Sequence, residues 1–151
     1  MKTTNGDLIV LLLDGEFDVI VHGCNCFCTM GAGLAKSIAL VFPQALAADL
    51  STKKGEVAKL GNYTKADCVV GDRSVTIINA YTQFDYRGSG IRADYNAIRE
   101  VFKKLKAAYS GKRFGIPLIG AGLAGGDWKI ISEIISTELE GEDCTLVKYN
   151  T

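Results

Sequence analysis

Residues 18–35 read Asp18-Val19-Ile20-Val21-His22-Gly23-Cys24-Asn25-Cys26-Phe27-Cys28-Thr29-Met30-Gly31-Ala32-Gly33-Leu34-Ala35. An apolar, β-branched run (Asp18–Val21) reads as a buried strand, and Leu34–Val41 reads as a helix. Between them lies a glycine loop. Strand, glycine loop and helix in succession point backbone N–H groups and a helix N-terminus at an anion. Glycine suits that task because phosphate oxygens can approach a backbone that has no Cβ. The pattern recurs: Phe114–Ile119 reads as a strand, Gly120-Ala121-Gly122-Leu123-Ala124-Gly125-Gly126-Asp127 as a loop, and Trp128–Leu139 as a helix. Two such loops in one small domain suit a diphosphate held between them at the carboxyl ends of the strands. Neither loop matches G-x-G-x-x-G or G-x-x-x-x-G-K-[ST], which argues against a dinucleotide dehydrogenase or a P-loop kinase. The plainer alternative is that these glycines only make tight turns and helix starts.

The rest of the chain fits the same plan. Leu8–Leu13 reads as a further buried strand. Val69–Val70 and Val75–Ile78, flanking Gly71-Asp72-Arg73-Ser74, read as a hairpin, and Thr145–Tyr149 reads as a last strand. Pro43 opens a helical stretch through Leu50, and Ala93–Ala108 carries Ile98, Val101, Phe102 and Leu105 on one helical face. Strands alternating with helices, plus one hairpin, predict a three-layer α/β/α domain with a central mixed sheet of about six strands. At 151 residues the chain is expected to form a single domain over 1–151. Apolar residues at 48% and charged residues at 23% exclude wholesale disorder. Seventeen basic residues balance seventeen acidic ones, so nucleic acid is not an expected partner. The apolar run Leu8–Leu13 is too short for a signal core or a membrane span, so no membrane is expected and the expected location is cytoplasmic. Five cysteines, three of them at Cys24, Cys26 and Cys28, show no disulfide framework and agree with that location.

Few residues offer chemistry. His22, the only histidine, ends the strand that enters the first glycine loop. It reads either as an acid–base group or as a strand-end residue satisfied by a backbone carbonyl. Asn25 can donate and accept, which suits a sugar diol, or it can make a turn. His22, Cys24, Cys26 and Cys28 are spaced two apart along an extended segment. Zinc sites usually draw C-x₂₋₄-C pairs from two places in the chain, which this single run does not offer, so neither a metal nor a cofactor is expected. Asp7 reads as a turn acid or as an acceptor for an exocyclic amine. Asp127 reads as a cap for the following helix or as a neighbour of the ligand. The polar, glycine-rich stretch Tyr81–Arg92 reads as a flexible rim over the site.

Taken together these motifs resemble the macrodomain, the ADP-ribose-binding fold, over essentially the whole chain. Gly6-Asp7-Leu8 is similar to the macrodomain Gly-Asp-Ile, whose Asp accepts from the adenine amine. VHGCNCFCTMGAGLA resembles the first phosphate loop and IPLIGAGLAGGDW the second. The variety most resembled is the one that includes the yeast ADP-ribose-1''-phosphate phosphatase, and NAYTQFDYRGSGIRADY is similar to bacterial and phage versions. The resemblance implies a metal-independent phosphatase that converts ADP-ribose-1''-phosphate to ADP-ribose and phosphate. It implies catalytic roles for His22, Asn25 and Asp127. It implies ligand contacts from Asp7, Leu8, Met30, Gly31, Ala32, Gly33, Leu34, Ile119, Gly120, Ala121, Gly122, Leu123 and Ala124. Two further readings stay open. One is a hydrolase of ADP-ribosyl conjugates, either ADP-ribosylated protein or O-acetyl-ADP-ribose. The other is a reader that binds ADP-ribose without turnover. Relatives that remove ADP-ribose through an Asp in a Gly-Gly-Gly-Val-Asp loop have their aligned position at Ala35. Relatives with a lysine nucleophile after Gly-Glu-Val-Ala have theirs at Gly61, with Lys59 two residues away, and their Asp at Ala124.

Overall fold

The computed structural model describes residues 1–149, so the last two positions of the expected 1–151 domain lie outside the described residues. Its strands are β1 (Lys2–Asn5), β2 (Val19–Cys24), β3 (Tyr63–Val70), β4 (Arg73–Tyr81), β5 (Arg113–Ile116) and β6 (Asp143–Lys148). Its helices are α1 (Leu8–Leu13), α2 (Gly33–Val41), α3 (Pro43–Leu50), α4 (Tyr95–Tyr109) and α5 (Trp128–Glu138). The strands form one sheet in the order β1-β6-β5-β2-β4-β3. Every neighbouring pair is parallel except β3–β4, the hairpin.

Side-chain alternation builds two cores, one on each face of the sheet. Val19, Val21, Ile78, Phe114 and Leu146 point to one face and pack with Ile98, Val101, Phe102 and Leu105 of α4 and Ile131, Ile134 and Ile135 of α5. Ile20, Val75, Ile77, Ala66 and Val147 point to the other, where Leu8, Ile9 and Leu12 of α1, Ile38 of α2 and Ala45 of α3 meet them. A sheet covered on both faces is the expected three-layer α/β/α arrangement, and its mixed six-stranded sheet matches the expectation. Gly115 in β5 is required by packing, because a Cβ there would lie 2.5 Å from the Phe17 ring.

One element differs in kind. Leu8–Leu13, expected as a strand, is helix α1. A short unbroken apolar run does not distinguish a buried strand from a buried helix. Here the preceding residue decides it. Asp7 is the N-cap, and its Oδ1 accepts from the backbone N–H of Ile9 (2.9 Å) and Val10 (3.1 Å). The helix buries Leu8, Ile9 and Leu12 on one side and leaves Val10 and Leu13 exposed. The outermost strand is instead Lys2–Asn5, fully exposed and without an apolar residue, held by parallel pairing to β6. The other differences are of extent: β4 continues through Tyr81, β5 stops at Ile116 rather than Ile119, and β3 begins at Tyr63.

Candidate functional site

Three adjacent parallel strands, β5, β2 and β4, release their chains at the same edge of the sheet. The segments that follow enclose a cleft of about 650 Å³, within the usual size range of small-molecule sites. Thr29, Gly31, Ala32, Gly33, Leu34 and Ala35 form one wall, and Pro117 to Gly120 with Gly122 to Ala124 form the other. The end of β2 contributes His22, Gly23, Cys24 and Asn25, and the segment after β4 contributes Thr82, Gln83, Tyr86 and Arg92. A second concavity of about 620 Å³, lined by Ala48, Ser51, Tyr63, Thr64, Lys65, Ala108 and Tyr109, has no glycine loop.

The two loops use their glycines in two ways. A Cβ on Gly31, Gly33 or Gly122 would meet nothing within 4 Å, so these positions leave open space at the cleft. Gly33 also starts α2 with φ +57, in the left-handed region that favours glycine. Gly125 and Gly126 serve packing instead. Their Cβ atoms would lie 2.8 Å from the Gly90 carbonyl and 2.6 Å from the Gly120 carbonyl. The second loop is thereby pressed against the segment after β4, which also sends the N–H of Arg92 and Ala93 to the Ala124 carbonyl.

His22, 1% exposed, sits in a polar row that crosses the sheet. Register places His22 of β2 beside Asn79 of β4, and Asn79 beside Thr64 of β3. The Asn79 amide nitrogen donates to the Ala45 carbonyl (2.9 Å) and to Thr64 Oγ1 (3.1 Å). Its oxygen therefore faces His22 Nε2 at 2.7 Å, and Nε2 must carry the hydrogen. Nδ1 is left with a lone pair. Burial lowers the His22 pKa to about 4, opposed by the bond to Asn79, so the imidazole is neutral at pH 7. The row continues through Thr64 Oγ1 to Tyr81 Oη (3.0 Å), which donates to the buried Asp49 (2.7 Å).

Asn25 is buried at the cleft. Its amide donates to Thr29 Oγ1 (2.7 Å), and its oxygen accepts from the Phe27 N–H (2.8 Å), so it shapes the first loop. Of the other expected residues, Gly31, Ala32, Gly33, Leu34, Ile119, Gly120, Gly122, Leu123 and Ala124 line the cleft. Asp7, Leu8, Met30, Ala121 and Asp127 are not among the lining residues. Leu8 and Met30 belong to the core beneath. Ala121 packs on the opposite core. Asp127 is the exposed N-cap of α5, accepting from the Lys129 N–H at 2.9 Å. Lys59 lies in a 3-10 turn (Val57–Lys59), not in a strand. It is buried, bonds Thr52 Oγ1 at 2.8 Å, sits 5.0 Å from the Tyr81 ring centre, and does not line the cleft.

The three neighbouring cysteines diverge. Cys24 lies 3.6 Å from the His22 ring, Cys26 faces the Gln83 carbonyl (3.5 Å), and Cys28 faces Thr52 Oγ1 (3.3 Å). Burial raises the Cys24 and Cys26 thiol pKa values, Cys26 to about 11. Among the described residues no three His, Cys, Asp or Glu side chains converge as metal ligands do. The lining residues not foreseen individually include Thr82, Gln83, Tyr86 and Arg92. They come from the polar stretch after β4, whose composition marked a rim without singling out its members. No carboxylate lines the cleft, and Arg92 is its one charged side chain among the described residues. That balance favours an anion.

No model of a known protein family matches the chain. It is 36% identical over 142 residues to the uncharacterized 17.5 kDa protein of the tk-vs intergenic region of enterobacteria phage T4, covering 91% of this chain and 88% of that protein. Among solved structures it is similar to the macrodomain of Mycobacterium tuberculosis DarG (TM-score 0.74, 20% identity, 99% of this chain and 97% of that one). It is also similar to a Trypanosoma brucei macrodomain in complex with ADP-ribose (TM-score 0.66, 17% identity, 98% of this chain and 63% of that one). The chain thus has the fold of a macrodomain, and by sequence it belongs to the family of the phage T4 protein.

Proposed function

We propose that the chain binds ADP-ribose in this cleft and hydrolyses ADP-ribose-1''-phosphate to ADP-ribose and phosphate. The observation that carries the reading is the pair of glycine loops facing each other across one carboxylate-free cleft, with open space at Gly31, Gly33 and Gly122. In this reading the loops hold the pyrophosphate, Asp7 accepts from the adenine amine, and Asn25 meets the distal ribose. The Trypanosoma brucei macrodomain of similar fold, in complex with ADP-ribose, supports the ligand. His22 enters the reaction neutral, so it acts first as a base. A water oxygen bonds to phosphorus, the bond from phosphorus to the C1'' oxygen breaks, and the water proton passes by way of His22 to the departing sugar hydroxyl. No metal has a role in this scheme.

His22→Ala tests it. Phosphate release from ADP-ribose-1''-phosphate is expected to fall about 10²–10⁴-fold in kcat, while the Kd for ADP-ribose changes little. Turnover that persists in the folded variant would remove His22 from the chemistry. A second reading, an ADP-ribose reader without turnover, is favoured by Asp127, which caps α5 outside the cleft lining. Wild-type protein that binds ADP-ribose but releases no phosphate would establish it. Release of ADP-ribose from an ADP-ribosylated protein would point instead to a hydrolase of conjugates.

A further inference from the structure

Arg92 ends the segment that follows β4, and it lines the cleft beside the second glycine loop. Its backbone N–H is bonded to the Ala124 carbonyl at 2.7 Å, which ties its position to that loop. The antiparallel bridge Gln83↔Ala93 closes the base of the same segment. One terminal nitrogen of the guanidinium donates to the Gly88 carbonyl at 2.8 Å. The Nε–H does not do likewise: it is buried and has no hydrogen-bond partner among the described residues. The guanidinium spreads its charge over its N–H groups, so this is a charge-bearing donor without an acceptor. Such a group is costly to bury unless something accepts from it.

We propose that Arg92 is a specificity-determining residue whose guanidinium, unsatisfied at Nε in the ligand-free fold, swings to meet a phosphate oxygen of the ligand. The proposal rests on the ADP-ribose reading for the identity of the nucleotide, but not for the class of group recognised. The chemistry of the cleft selects phosphate. Both walls carry glycines with open space where a Cβ would stand, no carboxylate among the described lining residues competes for the guanidinium, and the planar fork of arginine matches phosphate oxygens. The role also explains why a rim otherwise rich in glycine (Gly88, Gly90) is fastened to the second loop at Arg92 itself. That fastening sets the donor relative to the phosphate wall.

The test uses the full chain as wild type, Arg92→Met and Arg92→Lys, with two probes: titration of ADP-ribose, and the thermal shift produced by inorganic pyrophosphate. Arg92→Met is expected to weaken ADP-ribose about 10- to 100-fold and to remove the pyrophosphate shift. Arg92→Lys, which keeps a charge but loses the planar fork, recovers only part of the affinity. Ligand-free Arg92→Met should melt no lower than wild type, since the side chain makes a single exposed hydrogen bond within the fold and its buried Nε–H has no bond to lose. An unchanged ADP-ribose Kd in Arg92→Met overturns the role of Arg92 and leaves the ADP-ribose reading intact. Full affinity in Arg92→Lys overturns the need for the guanidinium fork. An Arg92-dependent response to pyrophosphate with no response to ADP-ribose upholds Arg92 as the anion reader and overturns the ADP-ribose reading. A wild type indifferent to both probes overturns both.

Discussion

Between pH 6.5 and about 4 the unfolded chain takes up a proton at its single histidine that the folded protein resists, because burial penalises the imidazolium more than the Asn79 bond favours it. A folded pKa below the unfolded one means that the unfolded state binds more protons in this window. The contribution of His22 to stability is therefore complete above pH 6.5, falls as the pH drops, and is exhausted below about pH 4. A difference of this size corresponds to about 2–3 kcal/mol lost on going from pH 7 to 4.5. Urea unfolding at those two pH values, for wild type and His22→Asn, measures it. The variant should lose that much less stability on acidification, and identical losses would refute a neutral buried His22. For the same reason the pH–rate profile should carry its acid limb near 4, not near the ordinary histidine value.

Helix α1 shows how one residue can carry two roles at the level of an element. Both cap bonds of Asp7 land on Oδ1, so the second carboxylate oxygen is not used by the cap. Asp7→Ala removes the cap and is expected to cost about 0.5–2 kcal/mol of stability. Asp7→Asn keeps an oxygen acceptor for the two N–H groups, so its stability should stay close to wild type. If the second oxygen accepts from the adenine amine, both variants weaken ADP-ribose by roughly 1–3 kcal/mol. Melting curves and titrations of the pair separate the roles. Unchanged affinity in both would make Asp7 a helix cap alone. The helix itself was not legible in Leu8–Leu13, because six consecutive apolar residues satisfy either secondary structure. The distant helices α4 and α5 were legible, since Ile98, Val101, Phe102 and Leu105, and Ile131, Ile134 and Ile135, repeat at helical spacing.

The whole molecule brings two loops, about ninety residues apart in the chain, to opposite sides of one cleft, and this makes a decisive variant pair available. Alanine at Gly31 or Gly122 meets no atom within 4 Å, and neither glycine has the left-handed backbone that would strain a side chain. Both single variants should melt within experimental scatter of wild type yet bind ADP-ribose at least several-fold more weakly. The double variant should lose less than the two single losses combined, because one ligand touches both walls. Normal binding by Gly122→Ala and Gly31→Ala would remove the loops as a phosphate cradle.

Local order was enough to announce the α/β/α layering, the hairpin, four of the five helices and the two glycine loops, because each depends on the spacing or identity of neighbouring residues. The divergence of Cys24, Cys26 and Cys28 was not legible: residues two apart in a strand share a face, and these separate only because β2 ends at Cys24 and the chain turns, with Cys28 at φ 58. Strand Lys2–Asn5 was beyond reach, since its polar residues acquire a strand's hydrogen bonds only from β6, more than 130 residues later. So were the neutral His22 and the unpartnered Arg92 Nε–H. A tautomer depends on Asn79, and through it on Thr64 and Ala45, while a buried donor depends on which surfaces close around it. Pattern along the chain set which elements exist. Protonation, burial and the facing of the two loops were decided by contacts between elements, because solvent exclusion and hydrogen-bond partnership arise only when distant segments meet.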